Sequence, residues 1–155
     1  MNALADRAAL GPTPRRWSRV LGYAGLVLFA PALALPWLGG QDVIFLVQDS
    51  VMAYGAVILS FVGALHWQAG MQALTAREST LRLVFSVLPA LFGWLALLLE
   101  PVPGFALLVG AFVLVYRFDR RWPPGDASFL ALRLHLTAGA VLCMTVALGA
   151  ALVTA

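Results

Sequence analysis

Every basic residue in this chain is an arginine, and the ten arginines fall in three short stretches set between long apolar runs. Arg7, Arg15, Arg16 and Arg19 precede the first run. Arg77 and Arg82 divide the second from the third. Arg117, Arg120 and Arg121 divide the fourth from the fifth, and Arg133 lies just inside the fifth. A bilayer sorts such charge, because short loops rich in arginine stay on the cytoplasmic side. Five crossings that start inside place all ten arginines on one side, whereas four or six crossings break the alternation. The pattern predicts five transmembrane helices, with the N-terminus cytoplasmic and the C-terminus periplasmic.

Composition gives the physical reason for a membrane. The chain is 62% hydrophobic and 11% charged, whereas soluble domains are about 45–50% apolar and about 25% charged. A globule of this size buries only about two-thirds of the surface its chain exposes, too little to hide so much apolar area. The runs cover 20–38, 49–74, 81–99, 102–117 and 129–153, against the about 20 residues that a helix needs to cross hydrocarbon. The fourth is short, and "YRFDRRW" can extend it with arginine stems reaching toward water. "LGGQD", "EPVPG" and "WPPGDAS" punctuate the runs, with Asp126 a candidate N-cap. Pro31, Pro36 and Pro89 lie within runs and predict kinks. The expected fold is all-α, a single integral membrane domain over 1–155 forming a five-helix bundle. A basic start followed by "ALA" at Ala32–Ala34 also fits a signal-peptide cleavage site, which would leave four helices. The basic region is long for that role, so the first helix is expected to be retained.

Several functions lack their residues. The net charge of +3 sits in loops without arginine–aromatic alternation or zinc spacing, so nucleic acid is not an expected partner. Cys143 is the only cysteine, which excludes an intrachain disulfide and a cysteine metal site, and it reads as packing. There is no paired-carboxylate site, no H-E-x-x-H and no phosphate-cradling glycine loop. Ser86, in "VFSVLP", lacks the glycines of a nucleophile elbow. No catalytic residue and no metal site are assigned, and the chain is not expected to be an enzyme.

The polar residues inside the runs remain as candidates, since ionisable groups in a membrane are expensive. His66, Ser86, Asp119, Arg133 and His135 stand at the inner ends of four helices, so they share a leaflet. His66, Trp67, Ser86 and Arg133 together are candidate contacts for a quinone or lipid headgroup. Asp49, Ser60, Asp119 and His135 are candidate structural contacts, with Asp119 and Arg133 a candidate pair at the rim. A haem held by His66 and His135 is a weaker expectation on two histidines alone. In the second run Asp49, Ala53, Ala56, Ser60, Gly63 and Trp67 lie on one small and polar face that is expected to point inward. In the fifth, His135, Gly139, Cys143, Ala147 and Ala151 repeat every fourth residue as a second close-packing stripe.

"YGAVILSFVGALHWQAG" (Tyr54–Gly70) followed by "SVLPALFGWLALLL" (Ser86–Leu99) resembles the family catalogued as domain of unknown function 3429, the transmembrane protein 69-like integral membrane proteins. Its specific part is Ser60, Phe61, Gly63, His66 and Trp67, and the likeness extends over "LGYAGLVLFAPALAL", "YRFDRR" and "LRLHLTAG". The resemblance implies an inner-membrane protein, bacterial or mitochondrial, without implying an activity. His135 has no counterpart in that pattern. The arginine-, alanine- and leucine-rich usage suggests a bacterium. The expectation is a non-enzymatic accessory or scaffolding protein of the bacterial inner membrane. Its partners are the lipid bilayer and, through small-residue faces, other membrane proteins or a second copy. A quinone- or lipid-binding protein is the alternative, with no cofactor assigned.

Overall fold

The computed structural model describes residues 13–37 and 40–154; Arg7 and Leu38, the expected end of the first run, lie outside them. The described chain is all-helical. Its elements are α1 (Thr13–Val27), α2 (Pro31–Ala34) with a 3₁₀ turn at Leu35–Trp37, α3 (Gln41–Met71), α4 (Ala76–Ala96), α5 (Pro101–Arg121) and α6 (Ala127–Thr154). Five stretches are long and apolar enough to cross a membrane: Arg16–Trp37, Gln41–Met71, Ala76–Ala96, Pro101–Arg121 and Ala127–Val153.

The first span is broken. Pro31 has no N–H, and its ring crowds the carbonyl four residues back. That residue is Val27, where α1 stops. Leu28, Phe29 and Ala30 then donate to the carbonyls three residues earlier, the tighter 3₁₀ pattern. Gly40 alone among the described residues takes a positive φ, 88°, and this turn opens α3 eight residues before the expected start at Asp49. At about 1.5 Å per residue, the 31 residues of α3 run about 46 Å, well past a hydrocarbon core of about 30 Å. The helix is thus longer than an untilted crossing requires.

The caps follow from local chemistry. The Thr75 hydroxyl accepts from the Glu78 N–H at 3.3 Å and starts α4. Pro101 occupies the first turn of α5, where its missing N–H is no loss. Arg120 and Arg121 stand in the last turn, against the negative end of the helix dipole. The Asp126 carboxylate accepts from the Phe129 N–H at 2.8 Å and starts α6. Pro89 lies inside α4 without ending it.

Two stripes need correction. The buried face of α3 is Gln48, Val51, Met52, Gly55, Ala56, Leu59, Val62, Gly63, His66 and Gly70; Ala56 and Gly63 of the expected stripe lie at one edge of it, and the face is centred to the other side of them. Asp49, Ala53 and Trp67 are exposed, and Ser60 is half-buried with its hydroxyl donated to the Ala56 carbonyl of its own helix. Trp67 is 53% exposed and belongs to the outward face. On α6 the buried face is Arg133, Thr137, Ala140, Met144, Ala147 and Ala151, alternating steps of four and three. A strict step of four drifts about 40° each time, so His135 at the start of that stripe is exposed while Ala147 and Ala151 at its end are buried.

The most extensive helix pairing is α3 with α4, and it depends on glycine. A Cβ at Gly63 would stand 2.5 Å from the Ser86 carbonyl oxygen, and one at Gly93 would stand 3.0 Å from the Ala56 carbonyl oxygen. Backbone cannot yield as a flexible side chain can, so these sites admit no larger residue. Gly63→Ala is expected to destabilise the purified protein by about 1–3 kcal/mol in detergent unfolding. Gly110→Ala, with nothing within 4 Å of the added methyl, is the control and is expected to leave the midpoint unchanged or higher.

Candidate functional site

Three helices converge on one carboxylate. Asp119 ends the buried face of α5 that carries Phe105, Leu108, Phe112 and Val115. Its Oδ1 accepts from His66 Nε2–H on α3 at 2.7 Å. Its Oδ2 accepts from Arg133 on α6, at 3.0 Å from Nε and 2.9 Å from a terminal guanidinium nitrogen. A carboxylate only accepts, so the hydrogen on the shared edge belongs to the imidazole. His66 is 0%, Asp119 1% and Arg133 7% exposed. One carboxylate charge meets one guanidinium charge, and the imidazole adds a second donor. His66 Nδ1 has no hydrogen-bond partner among the described residues.

Aromatic rings close this cluster. The His66 ring stands edge-on to Phe118 at 4.9 Å and to Phe85 at 5.4 Å, and those two phenylalanines stack on each other at 3.6 Å. Low dielectric strengthens each hydrogen bond in the triad and raises the penalty for breaking one. The arrangement joins α3, α5 and α6 at a single depth. The fourth helix is joined at the rim, where Arg82 donates to Glu78 Oε1 at 2.8 Å and to the Trp122 carbonyl at 3.2 Å, clamping α4 to the α5–α6 loop.

The remaining candidates separate from this cluster. Trp67 faces outward. Ser86 is buried, but its hydroxyl is donated to the Leu83 carbonyl of its own helix at 2.7 Å. His135 is exposed, with Nδ1 at 3.2 Å from the Tyr23 hydroxyl of α1, and no contact joins it to His66 among the described residues. The expected four-residue headgroup pocket of His66, Trp67, Ser86 and Arg133 is therefore not assembled as one surface. Sequence reasoning missed Arg82, although its i,i+4 spacing from Glu78 was a usable signal. It also missed Gln48, buried on the same face of α3 as His66 with neither amide atom hydrogen-bonded among the described residues. Among the described residues no group of three or more His, Cys, Asp or Glu is placed to hold a metal ion.

The fold and this cluster define an all-helical, multi-spanning membrane protein whose buried ionisable side chains pair with one another. The chain belongs to the family described as protein of unknown function (DUF3429), which matches residues 14–149. It is similar to Transmembrane protein 69 of Xenopus tropicalis, with 34% identity over 143 residues, covering 88% of this chain and 54% of the relative. The chain thus spans about half the length of that curated relative. No solved structure matches.

Removal of one member of the triad leaves a charge or donor stranded. Asp119→Leu, which leaves Arg133 unpaired in the core, is expected to destabilise by about 3–5 kcal/mol. The double variant Asp119→Leu/Arg133→Met is expected to recover most of that loss. Unfolding of both variants in detergent, measured side by side, checks this.

Proposed function

We propose that the protein is a non-enzymatic accessory or scaffolding protein of the bacterial inner membrane, with its N-terminus cytoplasmic and its C-terminus periplasmic. The observation that carries the reading is the outward face of α6. Ala131, Ala138, Thr145 and Gly149 are exposed along it on one side of the helix, with Leu142 exposed among them, and among the described residues nothing lies within 4 Å of a Cβ at Gly149. Small residues on a membrane helix let a second backbone approach closely, and this packing drives association where lipid is as apolar as leucine. The polar triad supports the same reading, since His66 and Arg133 are both engaged by Asp119 inside the bundle. Orientation rests on the arginine bias.

The quinone- or lipid-binding reading that joins His66, Trp67, Ser86 and Arg133 has weaker support. Those residues point to different surroundings, and His66 is enclosed on all sides.

A photoreactive amino acid at Ala138, activated in native membranes, is expected to give a discrete protein adduct, either to another membrane protein or to a second copy. Gly149→Leu is expected to reduce that adduct at least about tenfold without lowering the unfolding midpoint. Adducts to lipid alone would contradict the scaffold. Reporters of sidedness on the two ends are expected to report opposite compartments, and a shared compartment would contradict the orientation.

A further inference from the structure

A cavity of about 420 Å³ lies between α1, α3 and α6, with Phe112 of α5 at its back. Its size is within the about 300–1,000 Å³ of ligand sites. On α3 its walls run from Tyr54 to Leu65, and on α6 from Phe129 to Ala140. Both stretches span 11 residue steps, about 16 Å of helix. Leu26, Phe29, Ile58, Phe61 and Leu136 make most of the wall apolar. Leu65 and Phe129 also line a second, more polar cleft of about 440 Å³ at the rim, beside Gln72, Glu78 and Arg82. The apolar cavity therefore has one end at the rim and extends from there toward the middle of the bundle.

Its polar lining is spread along its length, with Arg133 one turn from the rim end, Thr137 one turn deeper, and Tyr54, whose hydroxyl donates to the Gly25 carbonyl, at the far end. Arg133 and Thr137, one turn apart on α6, both line it. Thr137 is 6% exposed, and its hydroxyl has no hydrogen-bond partner among the described residues. Arg133 uses Nε and one terminal nitrogen on Asp119, which leaves its second terminal nitrogen without a hydrogen bond among the described residues. A hydroxyl without a protein acceptor gains a hydrogen bond when a ligand acceptor is placed here. Asp119 already neutralises Arg133, so the wall offers donors without net charge. This favours an uncharged acceptor over a phosphate.

We propose that this cavity binds an uncharged membrane amphiphile, a carbonyl-bearing head on an apolar tail. The carbonyl accepts from Thr137 and the free edge of Arg133, and the tail lies against Ile58, Leu136 and Phe29. Access is lateral, past α1, which is the least embedded of the five spans. Membrane quinones and acylglycerols share this chemistry. The site lies on a different face of α6 from the scaffold stripe and does not depend on that reading.

The test is a titration of the purified full chain in nanodiscs with three probes, read by native mass spectrometry. The probes are a short-chain benzoquinone, dioctanoylglycerol and, as the anionic comparison, dioctanoyl-phosphatidylglycerol. Saturable binding of either uncharged probe is expected. Quinone alone or glyceride alone assigns the natural source, and both together support the shared chemistry. Thr137→Val keeps the side-chain shape and removes the hydroxyl, and it is expected to weaken binding about tenfold. Ala140→Phe fills the cavity and is expected to abolish binding; if it does not fold, Thr137→Val carries the test. The proposal is overturned if neither uncharged probe saturates, if Thr137→Val binds as the parent does, or if only the anionic probe binds.

Discussion

A carboxylate buried among membrane helices must find its partners in protein, because hydrocarbon offers none. Asp119 finds two, and they come from two other helices. That requirement fixes more than a contact. It sets the rotation of α3, since His66 reaches Asp119 only if the face of Leu59, Val62 and Gly70 points inward with it. It sets the depth of α6 through Arg133. It also defines the polar layer of the bundle, with the Phe85–Phe118 stack on one side and the Arg82 clamp nearby.

This constraint explains which parts of the fold could be read from sequence. The number of apolar stretches was legible because arginine, proline and glycine interrupt them, and each interruption has a local physical cause. Asp126 was legible as a cap for the same reason. The phase of α3 was not legible. Small and polar residues were taken to mark the inward face, which placed Asp49 and Trp67 inside. Trp67 with its amphipathic ring suits an outward position near the rim. The pairing of Asp119 with Arg133 was legible in the sequence and is present, but the convergence of His66 on the same carboxylate requires the rotation of three helices at once. The cavity was invisible in sequence. It is bounded by four helices, and Thr137, its most informative residue, looks like ordinary membrane composition.

The structure separates three roles that the sequence placed together. Helix locking falls to the triad and the Arg82 clamp. Close approach within the bundle falls to Gly63, Gly70 and Gly93 between α3 and α4. The surfaces available to other molecules are the outer stripe of α6 and the cavity beneath α1. On α6 the outer stripe is turned away from the other two roles, whereas Arg133 takes part in both the triad and the cavity wall.

The central claim is that Asp119 holds His66 and Arg133 simultaneously. Magic-angle-spinning NMR of isotope-labelled protein in lipid bilayers tests it most directly. The account predicts that the Asp119 carboxylate carbon shows through-space correlations to both His66 Nε2 and the Arg133 guanidinium nitrogens, with the imidazole protonated on Nε2 alone. Correlation of that carbon with water and with neither side chain would contradict it.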